Sequence, residues 1–385
     1  MNPAPMTSPA PDTSAPGIVI AVTVPMSVAL FGGIPAELAR RGWRVHFVTG
    51  EPVDLPRRMP GVEFHVVPMR RAIAPLADLG AVAGFRRLLR EIRPDVVWAA
   101  TPKASLVGLL AARLAGVPHR VFHVWGCRWD RGHGAKAWLV KQADRVACGC
   151  ATEVIPVSRS LATLLKDERI TTRPITVLGE GGTKGVDLAS FRPRDVARGP
   201  GEPPVIGFLG RLSRDKGIGQ LPAILAKVRA AIPDVRCLVV GGEDRDDPPD
   251  AAALAALRAD AAVEMLGAVS DVPSAIRRMD VLCFPSLREG LPNAVIEAAA
   301  CGVPAVAWDA TGSRDAVRDG ETGFLVPDRD ASGMAGRIVE LLTDPGRLAA
   351  AGRAARALVE RHWGSEAVER ATLEHLGRLA SDRRA

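Results

Sequence analysis

The chain has 385 residues, 47% of them apolar and 24% charged, with a formal net charge of +7. That length fits two domains of roughly 170 residues, each able to bury its own core, and the composition is that of a soluble globular protein. No run reaches the roughly 18 apolar residues that a membrane span needs, and no nucleic-acid motif or basic-aromatic stripe accompanies the positive charge. The charge instead favours anionic partners such as nucleotide diphosphates, lipid diphosphates or an anionic membrane face.

Residues 1–16 are rich in Pro, Ala and Ser without a basic start or an apolar core. They read as a disordered tail, not a secretory signal, and a cytoplasmic location is expected. The cysteines at 127, 148, 150, 237, 283 and 301 lie mostly in apolar stretches without metal-ligand spacing, which predicts reduced, structural thiols.

A β-branched run from Ile18 to Val24 predicts the first buried strand, followed by Phe31-Gly32-Gly33 and a helix ending at Arg41-Gly42. Glycines in such a strand-to-helix loop let backbone approach a ligand, although an ordinary tight connection has the same pattern. VHFVTG (45–50) and FHVVPM (64–69) predict strands, then a helix from about Leu76 to Ile92, then the strand DVVWA (95–99). Arg86, Arg90 and Arg93 share one face of that helix, either as a membrane-surface patch or as a plain solvated face. Thr101-Pro102-Lys103 opens the helix ASLVGLLAARLAG at a strand end, where Lys103 can meet a phosphate or simply sit at the surface.

HRVFHVWGCRWD (119–130) predicts a strand running into an aromatic and cationic turn. His123 and Trp125 share a face there, and Trp125, Arg128 and Trp129 are suited to stack on or pair with a ligand. After a helix over 134–148, EVIPVS (153–158) and SLATLLK (160–166), the Gly- and Pro-dense stretch 186–203 reads as a hinge. It separates a first α/β domain over 17–185 from a second over 204–362.

The second half restarts the alternation with strand PVIGFLG (204–210), a helix over 218–231, strand CLVVGG (237–242), a helix over 251–258 and strand AVEMLG (262–267). Arg211 and Lys216 bracket the loop after its first strand, flanked by Gly210 and Gly217. Two cations at the carboxyl edge of a parallel strand are what a diphosphate requires. The acidic loop EDRDD (243–247) reads as a surface turn, so no metal or cofactor is expected.

The stretch PSLREGLPNAVIEAAACGVP (285–304) places Glu289 at the mouth of a helix expected to begin at Leu291-Pro292 and to stop at Gly302, with Glu297 inside it. The helix start favours an anion in front of it, and the flanking runs VLCF and AVAW predict buried parallel strands. The acids therefore lie where open α/β sheets bind ligands. The amphipathic segment 363–385 predicts a C-terminal helix.

The Glu289-x7-Glu297 spacing, followed by ACGVP and DGETGFLV (319–326), resembles the donor signature of family 4 retaining glycosyltransferases. GFLGRLSRDKG (207–217) is similar to that family's Gly-Arg-Leu…Lys-Gly segment. TPKASLVGLLAARLAGVP (101–118) and GEGGTKGVDLASF (179–191) resemble its polysaccharide-assembly branch.

The resemblance implies the α/β GT-B fold, two Rossmann-like domains facing each other across a cleft, with the C-terminal helix crossing back to the N-terminal domain. It implies catalytic roles for Glu289, Arg211 and Lys216, and a donor site of Glu297, Gly290, Leu291, Pro292, Asn293 and Gly210, with Glu297 on the ribose. Gly32 and Gly33 would lie beside the diphosphate and acceptor, and Lys103, His123, Trp125 and Arg128 toward the acceptor. Many relatives have a histidine close to the position of Gly126; Trp125 stands there here, with His123 two residues earlier, so that role does not transfer cleanly.

The implied reaction moves a hexose or N-acetylhexosamine, with retention and without a metal, from a UDP-sugar to a glycan, polyprenyl-linked or small-molecule acceptor, at the inner face of the cell membrane. No nucleic-acid partner is expected. A sugar-nucleotide isomerase akin to the UDP-N-acetylglucosamine 2-epimerases and a non-enzymatic sugar-nucleotide sensor are the competing readings.

Overall fold

The computed structural model describes residues 15–53, 59–70, 74–132, 134–196, 198–199 and 201–382. The tail expected over 1–16 falls almost wholly outside them. In chain order the first sheet's strands are β1 (Gly17–Ala21), β2 (Arg44–Thr49), β3 (Val62–Val66), β4 (Val96–Ala100), β5 (His119–Val124) and β6 (Glu153–Pro156). Among them run helices α1 (Ile34–Arg40), α2 (Pro75–Ile92), α3 (Pro102–Ala115) and α4 (Gly134–Cys150), and α5 (Arg159–Asp167) follows. The second sheet's strands are β7 (Val205–Leu209), β8 (Arg236–Val240), β9 (Val263–Gly267), β10 (Val281–Phe284), β11 (Ala305–Trp308) and β12 (Gly323–Val326). Its helices are α6 (Leu221–Arg229), α7 (Ala251–Ala259), α8 (Val272–Ile276), α9 (Asn293–Ala300) and α10 (Ser313–Ala316). The chain closes with α11 (Ala331–Thr343), α12 (Pro345–His362) and α13 (Ser365–Ser381).

Among the described residues the strands form two parallel sheets of six, ordered β3-β2-β1-β4-β5-β6 and β12-β11-β10-β7-β8-β9. Both are doubly wound orders: the chain builds outward from one central strand, then returns beside it to build the other half. The carboxyl ends of β1 and β4, and of β7 and β10, are therefore the switch points where such sheets open to a ligand. The central strands GIVIA, VVWAA, VLCF and AVAW are buried along their whole length, because helices cover both faces of a parallel sheet.

By contacts the chain groups into two units. The first runs to Phe122 and takes in Val146–Glu153 and the chain from Leu373 onward, so it includes the second half of α13. There His375 meets Glu153 at 2.8 Å. In its core Phe31 makes edge-to-face contacts with Phe47 at 5.5 Å and Trp98 at 5.2 Å. The second unit comprises His123–Arg145 and Val154–Thr372, with a core that includes Phe208, Val281, Trp308, Phe324 and Met334. Asp280 ties the 186–203 stretch to β7 within this unit: it accepts from Arg194 at 2.6 Å, Arg198 at 2.8 Å and the Val205 amide at 2.8 Å. All six cysteines are buried thiols.

Three local expectations need correction. β1 ends at Ala21, and a 3-10 turn over Pro25–Phe31 intervenes before Gly32 and Gly33. β3 begins at Val62, two residues earlier than expected, because Val62–Val66 pairs in register with Val45–Thr49. Pro292 does not open the helix: with ψ at 98° it is extended, and its carbonyl takes the first turn's amides from Val295 and Ile296, so α9 starts at Asn293. The far end matches expectation. The Val303 amide bonds to the Ala298 carbonyl and the Gly302 amide to Ala299, with Gly302 at φ 71°. This left-handed glycine cap fixes the turn into β11.

Candidate functional site

The loops after β7 and β10 meet at the second sheet's switch point. Gly217 ends the first loop at φ 71°, and a Cβ there would lie 1.9 Å from the Pro285 carbonyl oxygen, so only glycine lets the two backbones approach this closely. The Leu287 amide donates to the Asp215 carbonyl at 2.9 Å and locks the pair of loops.

Charge alternates across this junction. Lys216 Nζ donates to Glu289 Oε1 at 2.5 Å, with the lysine side chain 19% exposed and the carboxylate 9% exposed. Ser286 Oγ donates to the same carboxylate oxygen at 2.6 Å. Arg211 is 60% exposed, pairs with Asp244 and lies 4.0 Å from Asp215. Asp215 also faces Arg288 at 3.2 Å. Burial pushes the Asp215 carboxyl up, but the Ser213 hydroxyl, Lys216, Arg288 and Arg211 together hold it below the usual carboxylate range. Gly210, at φ 148°, donates to the Val240 carbonyl at 2.9 Å and starts the loop that carries Arg211.

Beyond Glu289 the chain is tightly held. The Glu289 amide donates to Thr311 at 3.2 Å, and the Gly290 carbonyl accepts from the buried Ser158 hydroxyl at 2.6 Å. A Cβ on Gly290 would stand 2.0 Å from the Trp125 carbonyl oxygen. The turn after β5 therefore packs directly on the loop bearing Glu289. Leu291 and Pro292 are buried beside it, and Asn293 and Ala294 open α9 with no side-chain cap at Pro292. That leaves the positive end of the helix facing the loop. One turn on, burial raises the half-buried Glu297 carboxyl above its ordinary range, and Lys184 partly offsets the rise.

His123 and Trp125 form a unit of their own. The indole Nε1 donates to His123 Nδ1 at 3.0 Å, which puts the imidazole proton on Nε2. Burial lowers the His123 pKa to about 3, against a backbone hydrogen bond with Gly182, so the ring is neutral. Arg128 is exposed, whereas Trp129 is buried and donates to Asp144 at 2.7 Å.

In the first unit, Gly32 at φ 55° and Gly33, the N-cap of α1, lie on the connection that leaves β1. Lys103, beyond β4, is not at the surface: it is buried and donates to Asp78 at 2.5 Å. Before it, Thr101 holds φ 68° and ψ 142°, a costly conformation for a β-branched residue. Its hydroxyl takes the Thr23 amide at 3.0 Å and pairs with the Thr23 hydroxyl at 2.8 Å.

Residues 31–181 match the family described as glycosyl transferase 4-like domain, and residues 203–344 match glycosyl transferases group 1. The capsular polysaccharide biosynthesis glycosyltransferase CapM of Staphylococcus aureus is 31% identical over 354 residues, which cover 90% of this chain and 93% of that protein. The chain belongs to the family 4 glycosyltransferases. Another relative is the UDP-Gal:alpha-D-GlcNAc-diphosphoundecaprenol alpha-1,3-galactosyltransferase of Escherichia coli, 26% identical over 73% of this chain and 75% of its own. Anabaena HepE, solved in complex with UDP, superposes with a TM-score of 0.75 at 20% identity over 94% of this chain and 100% of its own, which identifies the fold as GT-B.

Several residues of this glycosyltransferase's junction escaped sequence reasoning. Asp244 belongs to a loop that reads as a surface turn, Asp215 is masked by the neighbouring Lys216, Ser158 carries no motif of its own, and Lys184 lies in GEGGTKGVDLASF without a residue role drawn from it. The one available signal was the density of charge in SRDK (213–216), which is higher than a diphosphate alone needs.

Proposed function

We propose that the chain transfers a hexose or N-acetylhexosamine, with retention and without a metal, from a UDP-sugar to a hydroxyl of a lipid-linked or glycan acceptor in envelope polysaccharide assembly. The observation that carries this is the Lys216–Glu289 pair at 2.5 Å, a cation and an acid delivered to one point by the two loops of a switch point. The names of CapM and of the Escherichia coli galactosyltransferase support the pathway and the acceptor class, and UDP in HepE supports the donor.

In this reading the bond from the anomeric carbon to the diphosphate oxygen breaks, and negative charge grows on the leaving phosphate. Arg211, Lys216 and the amides opening α9 stabilise that charge, so no divalent ion is required. The acceptor oxygen bonds to the anomeric carbon on the face that UDP leaves, and its proton passes to the leaving phosphate oxygen. Glu297 holds the ribose, while Glu289 exchanges Lys216 for a sugar hydroxyl. A diphosphate entering here must also displace Asp244 from Arg211.

No helix among the described residues is long and apolar enough to cross a membrane. Membrane contact is proposed instead through α2, whose exposed Leu76 and Leu79 continue along one stripe into exposed Arg87 and Arg90. Arg86 is withdrawn from that face by its bond to the Leu114 carbonyl at 3.1 Å.

The test is a panel of UDP-sugars offered to the EDTA-treated protein, alone and with polyprenyl-diphosphate sugars or free small-molecule acceptors, with products read by mass spectrometry. Transfer to the lipid-linked acceptor is expected. Conversion of donor without acceptor would favour an isomerase, and activity that needs added Mg2+ would overturn the metal-free mechanism. Flotation with anionic liposomes at low salt tests the α2 face, and no binding would remove it.

A further inference from the structure

We propose that His46, Glu63 and His65, none of which has a role above, form a binding site for a divalent cation of the Zn2+ class. Sheet register builds it. His46 on β2 stands opposite Glu63 on β3, and His65 follows Glu63 by two residues, so all three side chains leave the same face of the strand pair. Phe47 and Phe64, one residue along each strand, stack on the other face with ring centroids 5.7 Å apart.

The donor atoms converge on one point. His46 Nδ1 lies 3.1 Å from His65 Nε2 and 3.3 Å from Glu63 Oε2, and His65 Nε2 lies 3.9 Å from the same oxygen. Ligands held about 2.0–2.1 Å from a tetrahedral ion are themselves roughly 3.3 Å apart, which is the spacing found. Two imidazoles and one carboxylate suit Zn2+ or its borderline neighbours, whereas Mg2+ and Ca2+ prefer oxygen-only sets.

The alternative occupant of the gap is a single proton shared between the two facing ring nitrogens. A cation takes that proton's place, and the ring that carried it moves its one proton to its other nitrogen, a change of tautomer, so both rings bind neutral. Water reaches the site from the side of Glu63, whose side chain is 72% exposed, while His46 anchors the buried end. β3 is the edge strand of its sheet, so an ion here would pin that edge to β2.

The experiment uses the untagged full chain after chelator treatment. Isothermal titration at 25 °C with ZnSO4 and with MgCl2 should give about one equivalent of saturable Zn2+ uptake and no Mg2+ uptake. Zn2+ should also raise the melting temperature. His65→Ala and Glu63→Gln, both at accessible positions that leave the core intact, should each weaken Zn2+ binding at least about 10-fold. X-ray absorption at the zinc edge should show nitrogen and oxygen neighbours. Absence of uptake, unchanged affinity in both variants, or sulfur in the coordination shell would overturn the assignment.

Discussion

Gly290→Ala tests whether the backbone around Glu289 is as tightly determined as the packing implies. Gly290 is not among the glycines at positive φ, so its requirement is space, not backbone angle. A methyl carbon would stand 2.0 Å from the Trp125 carbonyl oxygen, 2.6 Å from its carbon and 2.9 Å from Val157 Cγ2. Contacts of this kind do not fall below 3.0 Å, so one of the two backbones must retreat by about 1 Å. The Glu289–Gly290 backbone is not free to yield, because the Gly290 carbonyl is held by Ser158 at 2.6 Å and the Glu289 amide by Thr311 at 3.2 Å. A displacement of about 1 Å at a catalytic group costs about 100-fold in rate, equivalent to about 2.7 kcal/mol of barrier. Strain should lower stability by a further 1–3 kcal/mol, roughly. Ser158→Ala is the control: without a clash it removes the donor to Gly290 and the cap acceptor for the Leu161 amide of α5, and should cost about 1–3 kcal/mol of stability. The assay is UDP release from the UDP-sugar, with thermal denaturation of each variant. Gly290→Ala turnover within a few-fold of wild type in a normally folded protein would refute the argument.

Further outcomes follow from individual groups. Arg211→Ala should reduce turnover by about 100-fold or more with little change in melting temperature, since the guanidinium is largely exposed; near-normal turnover would remove it from the mechanism. Asp144 is buried and its pKa is raised from 3.8 to about 6, so its protonated form stabilises the fold below about pH 4 and that contribution is lost as pH rises through 6. Asp144→Asn keeps the Trp129 bond and should gain up to about 3 kcal/mol over wild type between pH 4 and pH 7; a stability difference that ignores pH would refute the reading. Asp280→Ala removes the buried carboxylate that Arg194, Arg198 and the Val205 amide share and should cost about 3 kcal/mol in denaturant unfolding, whereas a loss near zero would show the cluster to be solvated.

The fold was legible because parallel strands buried on both faces appear as short continuous apolar runs, and VVWAA, VLCF and AVAW admit little else. Which charge faces which was not legible. Lys103 reads as a first-turn lysine, yet it pairs with Asp78, 25 residues away on α2. The pattern puts His123 and Trp125 on one strand face, but β5 ends at Val124, and nothing in the pattern shows that the indole satisfies the imidazole or that burial silences its titration. Asp244 lies in a loop whose prolines and acids suggest solvent, although it is the carboxylate that meets Arg211. Pattern reasoning finds the end of a strand well. The rotamer and partner of a long charged side chain depend on segments distant in sequence, and periodicity carries no information about them.

The Lys216–Glu289 pair implies that binding and turnover respond in opposite directions to one substitution. A diphosphate that takes Lys216 must first break a bond to a carboxylate only 9% exposed, so Glu289 competes with the ligand for its own binding partner. Glu289→Gln removes the negative charge while keeping the size of the side chain and an oxygen to accept from Ser286. Lys216 is then free of a charged competitor, and UDP alone should bind as well as before or tighter, by about 5-fold if the pair contributes about 1 kcal/mol. Transfer should nevertheless slow by orders of magnitude if Glu289 acts as proposed, because the amide lacks the charge to orient a sugar hydroxyl at the reacting carbon. A purely structural Glu289 would weaken both together, as the loop lost its ion pair. Titration calorimetry with UDP and a turnover assay on the same preparation separate the two cases, and UDP binding that weakens in step with turnover would leave Glu289 a structural part only.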